Sequence, residues 1–274
     1  MPRLTTPDGV DLFYKDWMPA GQGRPVVLIH GWPLNADSWE QVAVQLARAG
    51  HRVVSYDRRG FGRSEQPWSG YDYDTMTDDL ASLIDHLGLT DAALVGFSMG
   101  GGEAVRYMSR HGGKGVAKVA LIASVVPYLL KGPDNPDGAP GEMFDGIKAA
   151  LEKDRPAFLA EFFKSFYGQG LLSGVSQGVL DWSSHNAYFA SPKATLDCVD
   201  AFGRTDFRGD LPSVTVPTLI IHGTGDQTVP IDPSARAAHK GIPGSVLKEY
   251  PGAPHGLLAT HQDEVIRDLL EFLA

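Results

Sequence analysis

The chain has 274 residues, 24 basic against 33 acidic, for a formal net charge of -9, with 43% hydrophobic residues. That is an ordinary globular composition, so the chain buries a core, and its acidic balance leaves no basic stripe for nucleic acid or an anionic membrane. The single cysteine, Cys198, excludes an intrachain disulfide and a cysteine-based zinc site. The longest apolar runs fall short of the ~20 residues of a membrane helix, and the first residues carry no apolar leader, so a cytoplasmic protein is expected.

Residues 10–17 read as an opening strand. The runs 25–30, 52–57, 92–96 and 117–123 are near-continuously apolar, as strands buried on both faces of a parallel sheet are. Between them lie helical periods. Over 74–87, Met76, Leu80, Leu83, Ile84 and Leu87 share one helix face, with Asp74 placed as the N-cap. This alternation predicts βαβ units. From about 125 to 210 no strand period occurs. A Pro/Gly/Asp-rich loop over 131–141 is followed by helical pieces carrying Phe144, Phe158, Phe162, Phe163, Phe166, Tyr167 and Trp182. A stretch of that length between two strands predicts an inserted helical cap, because structureless loops so long are uncommon. Strands resume at 216–222 and 245–250, and 259–273 reads as a closing amphipathic helix. The expected layout is a mostly parallel α/β sheet core over 1–124 and 209–274, with a cap over 125–208.

Gly96-Phe97-Ser98-Met99-Gly100 follows a strand and opens a helix. That is the setting of a nucleophile elbow, in which small flanking residues relieve a strained turn around the serine. The competing reading is a phosphate-binding βα turn, but no Gly-Lys-Ser/Thr follows and no Gly-x-Gly-x-x-Gly opens the first unit. A serine hydroxyl needs a base and the base needs an orienting acid. Asp226 follows the strand at 216–222, and His255 follows the last strand, both in loops where open α/β sheets place their sites. Asp226 also reads as a turn residue and His255 as a surface histidine; the other eight histidines lack this placement. Two backbone amides are expected to form an oxyanion hole: Met99, directly after the serine, and Trp32, in the loop His30-Gly31-Trp32-Pro33. His30 reads as a structural residue that holds this loop. The candidate substrate pocket comprises Trp32, Val126, Leu129, Phe144, Phe162, Phe166 and Val229. Asp57-Arg58-Arg59 suits structural ion pairs better than anion binding, and Asp206 suits a hinge. Neither a metal nor another cofactor is expected, since no His-Glu-x-x-His spacing occurs.

His30-Gly-Trp-Pro, Asp57-Arg-Arg-Gly-Phe-Gly-Arg-Ser64, Gly96-Phe-Ser-Met-Gly-Gly-Gly-Glu103 and Thr205-Asp-Phe-Arg208 together resemble the cofactor-free bacterial haloperoxidases, or perhydrolases, and the similar aryl esterases. The resemblance spans nearly the whole chain. It implies an α/β-hydrolase fold with a helical cap, a Ser98, Asp226, His255 triad and hydrolysis of small aryl and alkyl esters. It further implies peracid formation from a carboxylic acid and hydrogen peroxide, and a homo-oligomer. Some similar enzymes open γ-lactams, and a carbon–carbon bond hydrolase keeps the same triad. Dehalogenases and epoxide hydrolases use an aspartate at the elbow, which Ser98 excludes. A triad-bearing ligand receptor is the alternative from a different class.

Overall fold

The computed structural model describes residues 2–170 and 175–274. Among these, eight strands form one sheet: β1 (Arg3–Thr5), β2 (Asp11–Trp17), β3 (Gly23–Ile29), β4 (His51–Tyr56), β5 (Ala92–Phe97), β6 (Val116–Ile122), β7 (Thr218–Gly223) and β8 (Val246–Tyr250). Their order is β1-β2-β4-β3-β5-β6-β7-β8, with only the β1–β2 and β2–β4 pairs antiparallel. The expected α/β architecture is therefore the observed one. The central strands are buried along almost their whole length, and Val26 to Ile29 and Leu94 contribute no exposed surface. That burial explains why they read as unbroken apolar runs rather than alternating ones.

Two elements differ from the sequence expectation at the edges. β1 is a three-residue strand that pairs with β2 through the Thr6-Pro7-Asp8-Gly9 turn, where Gly9 takes a positive φ of 89°. Three residues carry too little periodicity to be seen, although Pro-Asp-Gly is a turn signal. The closing helix is broken at His261 (φ −132°, ψ 40°) into α8 (Leu257–Thr260) and α9 (Gln262–Leu273).

The helices α1 (Glu40–Arg48), α2 (Tyr73–His86) and α3 (Met99–Arg110) connect the strands of the first half. In α2, Met76, Leu80, Leu83 and Ile84 are buried as the periodicity predicts. Its N-cap, however, is Asp72, not Asp74: the Asp72 carboxylate accepts from Thr75 N at 2.9 Å. Asp72 is the last extended residue, while Asp74 already lies in the first turn, where its charge still complements the helix dipole.

Between β6 and β7 lie α4 (Gly141–Phe166), α5 (Gln177–Tyr188) and α6 (Pro192–Arg204). Residues 171–174 of the expected cap lie outside the described residues. Helix α4 is two helices joined at a kink: Asp154 leaves helical geometry (φ −159°, ψ 84°), and its carboxylate caps the second half by accepting from Ala157 N at 3.0 Å. Pro156, which has no N–H to donate, occupies the first turn after this cap, where that loss costs least. The kink aims the second half, with Phe162 and Phe166, at the C-terminal ends of the parallel strands. Helix α7 (Ala237–Gly241) precedes β8. Among the described residues no helix is long and apolar enough to cross a membrane.

Candidate active site

β5 ends at Phe97 and α3 starts at Met99, so the turn between them is a single residue, Ser98. Its φ of 53° and ψ of −119° lie outside the ordinary regions for a side chain-bearing residue, a conformation that costs on the order of 1–3 kcal/mol. The turn survives because its surroundings leave no alternative. Ser98 N donates to Ile122 O at 2.8 Å. A Cβ on Gly100 would sit 2.4 Å from the Ile29 carbonyl oxygen, so α3 packs directly against β3.

His255 follows β8 and meets Ser98 from the other side. Its Nε2 lies 2.9 Å from Ser98 Oγ and its Nδ1 2.6 Å from Asp226 Oδ2. All three side chains are buried. The imidazole is held between two aromatic rings, Phe97 at 5.3 Å and Phe166 at 4.8 Å between centroids. Asp226 divides its work between its oxygens. Oδ1 accepts from Thr228 N (2.9 Å) and Val229 N (2.8 Å), forming the turn that the sequence also suggests, while Oδ2 faces the imidazole. Burial by itself would raise this carboxyl's pKa; interaction with His255 and then His222 overrides it and holds the group far below the usual carboxylate range.

His222 is a residue that sequence reasoning passed over. It is the penultimate residue of β7, its Nε2 lies 2.8 Å from Val229 O and 3.3 Å from Asp226 Oδ2, and the ring is fully buried. One N–H thus straddles the Asp226 carboxylate and the turn that carries it. In the sequence His222 is only the last residue of an apolar strand, and nothing there signals that the following loop folds back over it.

The loop after β3 closes the site. Arg58 N donates to His30 Nε2 (3.0 Å), so the ring proton sits on Nδ1, which donates to Gly31 O (2.9 Å). Leu34 N donates to the same oxygen at 3.0 Å. A Cβ on Gly31 would stand 3.0 Å from Ser98 Cβ, so the Gly31–Trp32 backbone runs directly beside the serine. Met99, as the first residue of α3, holds one of the N–H groups that have no acceptor within the helix. Two amide-bearing segments therefore flank Ser98.

His30 has a measurable consequence. Burial, and then the Arg58 guanidinium, holds its imidazole well below its ordinary value of 6.5. The unfolded chain takes up a proton on this ring below about pH 6.5, whereas the folded chain does not, so stability drains away as pH falls through that value. Unfolding free energies from urea titrations should fall more steeply from pH 7 to pH 5 for the wild type than for His30→Gln, by up to about 1.4 kcal/mol per pH unit. Equal slopes would remove His30 from the account.

An apolar cavity of about 280 Å³ opens above Ser98 and His255. Trp32, Leu129, Phe144, Phe162 and Val229 line it, as does Phe202 of α6. Trp32 sets its edge on Phe162 (5.3 Å) and donates its indole N–H to Thr195 O (3.1 Å), tying the loop to α6. Two expected pocket residues lie elsewhere. Val125, not Val126, lines the cavity, and Val126 is fully buried beside it. Phe166 backs His255 and, with Phe97 and Trp182, walls a second cleft of about 410 Å³.

The weaker signals resolve structurally. Arg58 pairs with Glu103, Arg59 with Asp79 and Asp8, and Asp57 with Arg63. Asp206 is engaged by Arg208, which also pairs with Asp134, and Phe207 N donates to Pro127 O at 2.8 Å, so this segment pins both ends of the insertion together.

Comparison with known proteins agrees with this fold. Residues 24–262 match the family described as alpha/beta hydrolase fold. The chain is 44% identical to a non-heme chloroperoxidase of Kitasatospora aureofaciens, over 100% of this chain and 99% of that one. It is 41% identical to a bifunctional esterase/perhydrolase of Acinetobacter calcoaceticus, with the same coverage. Among solved structures, a bromoperoxidase from Bacillus anthracis superposes with a TM-score of 0.92 at 46% identity, over 99% of each chain. An esterase from Exiguobacterium antarcticum superposes with a TM-score of 0.93 at 32% identity, over 99% of this chain and 98% of that one.

Proposed function

The chain belongs to the alpha/beta hydrolase fold family, alongside esterases, perhydrolases and non-heme chloroperoxidases, and we propose that it is a serine hydrolase of small aryl and alkyl esters that also forms peracids. The observation that carries this reading is the contiguous hydrogen-bonded line from Ser98 Oγ through His255 to Asp226 at the floor of an apolar cavity.

In this reading Ser98 Oγ attacks the ester carbonyl while His255 Nε2 takes its proton, and Asp226 holds the imidazole in the required tautomer and stabilises its positive charge. The oxyanion develops between the amides of Met99 and Trp32, each typically worth ~3–4 kcal/mol. His255 then returns the proton to the leaving alcohol, which departs and leaves acyl-Ser98. Water attacks to give the acid, or hydrogen peroxide attacks to give the peracid, with His255 again taking the proton. With a free carboxylic acid as donor, the group that leaves is water. Trp32, Leu129, Phe144, Phe162 and Val229 suit an apolar acyl or aryl group. That apolar wall weighs against the carbon–carbon hydrolase reading, which asks for a more polar pocket.

The helices inserted between β6 and β7 act as the cap in this proposal, taken over 125–208, and they carry the substrate preference. We also take the protein to be a cytoplasmic homo-oligomer. Trp68 (79% exposed) and Phe189 (54%), on segments joined where Gln66 Nε2 donates to Phe189 O, offer an aromatic surface for self-association.

One acyl-enzyme has one partition ratio. Phenyl acetate, p-nitrophenyl acetate and ethyl acetate, each turned over at the same hydrogen peroxide concentration, should give the same ratio of peracetic to acetic acid. A ratio that changes with the leaving group would overturn the acyl-enzyme. Absence of peracid from all three would remove the perhydrolase half and leave the esterase.

A further inference from the structure

The cavity above Ser98 has one oxidisable thioether in its wall. Met143, in the first turn of α4, lines the cavity and is also 42% exposed, so it stands where cavity and solvent meet. Among the described residues, Met76, Met99 and Met108 are buried, and only Met18, at 50%, is as exposed as Met143. Met18 comes directly after β2 and lies beside Val44, Ala47 and Arg48, away from the cavity. The single thiol, on Cys198, is buried, and burial pushes its pKa up to about 12, so no reactive thiolate competes.

We propose that Met143 is a product-directed oxidation site: peracid made at Ser98 oxidises the Met143 thioether on its way out, and the sulfoxide then weakens the binding of apolar acyl groups. The inference rests on the perhydrolase reading above. The step balances. The electrophilic peroxy oxygen of the peracid is transferred to Met143 Sδ as the O–O bond breaks; the sulfide becomes a sulfoxide and the peracid becomes the parent carboxylic acid. No further oxidant is needed. A sulfoxide is polar and chiral where the thioether was flexible and apolar. At this place it faces a wall that includes Phe144, Ile147 and Pro140. The modification therefore raises KM for apolar esters while Ser98, His255 and Asp226 keep their geometry and kcat holds. Methionine sulfoxide reductases reverse such damage, so the device is resettable.

The test is peptide mapping of the wild-type protein during turnover of acetate with hydrogen peroxide, with free methionine added to scavenge peracid in bulk solution. Met143 should gain oxygen several-fold faster than Met18. That preference should vanish when acetate is omitted and in Ser98→Ala. Over the same period KM for p-nitrophenyl butyrate should rise several-fold at constant kcat, and return after treatment with methionine sulfoxide reductases. Met143→Leu, compared with its own starting value, should show no such drift. Equal oxidation of Met143 and Met18 would overturn the inference, and so would a Met143 preference that persists without acetate or without Ser98, since peroxide itself would then be the oxidant. Monochlorodimedone bromination, run in parallel with added bromide, separates the two levels. If wild type and Ser98→Ala brominate equally, the perhydrolase reading fails and this inference falls with it. If only the wild type brominates and Met143 is still not preferred, this inference alone fails.

Discussion

Ser98→Ala is expected to lower kcat for p-nitrophenyl acetate by five to six orders of magnitude, about the loss seen when a triad serine is removed. The geometry says why the loss should be so large and why it should not add. Ser98 Oγ has His255 Nε2 at 2.9 Å, and the imidazole has Asp226 Oδ2 at 2.6 Å behind it. Without the hydroxyl there is nothing for the base to activate; without the base the hydroxyl stays protonated. His255→Ala should therefore cost about as much as Ser98→Ala, and the double variant little more than either. The residual activity is water attacking a substrate still bound against the Met99 and Trp32 amides, roughly 10³–10⁴ over solution. Asp226→Asn should cost about 10⁴-fold, because an amide N–H facing His255 favours the wrong ring tautomer. The Asn amide would also confront the N–H of His222, which lies 3.3 Å from Oδ2. Steady-state kinetics of the four variants check this. Multiplicative losses in the double variant, or slow wild-type release indifferent to Ser98 and His255, would mean that the two residues do not act as one unit on esters, and would lift the ligand-receptor reading.

The catalytic candidates could be read from the sequence because each stands in a Gly-containing loop at the C-terminal end of a strand, and strand runs with the right residue just beyond them are local patterns. Val125 against Val126 was not readable in that way. One residue decides which of two neighbours faces the cavity, and that phase is set by the turn after β6, where Ala123 takes a positive φ of 45°. Phe162 and Phe166 share a helix face, yet one lines the cavity and the other backs the imidazole, because a helical turn of distance along the axis separates them. His222 shows the wider difficulty. Its contact with Asp226 spans four residues in sequence but depends on the Thr228 and Val229 amides curling the loop around the carboxylate. Strand β1 was hidden by its brevity. The α4 kink was not foreseen, because it depends on the Asp154 side chain capping the second half of the helix.

Breaking the buried pair of Arg58 and Glu103 should be the most damaging single change outside the site, and it should be asymmetric. The two side chains meet at 2.8 Å with no solvent exposure on either, and Tyr56 OH also donates to Glu103. Burial pushes the Glu103 carboxyl well above its ordinary value and the Arg58 guanidinium downward. Removal of one member leaves the other charge uncompensated, at about 3–5 kcal/mol. The guanidinium has no escape, since it stays charged at any ordinary pH. Glu103→Gln leaves the buried guanidinium beside a neutral amide, and because Arg58 also donates to His30 O at 2.9 Å, it should loosen the loop that carries the Trp32 amide. The carboxyl can escape by taking a proton. In Arg58→Met the folded pKa of Glu103 lies above its unfolded value, so stability is retained below the unfolded value and lost as pH rises through the folded one. Urea unfolding at pH 5 and pH 8 checks the carboxyl's escape: Arg58→Met should weaken toward pH 8. A deficit for Glu103→Gln within about 1 kcal/mol, the range of exposed pairs, would show that the interior here screens charge like a surface.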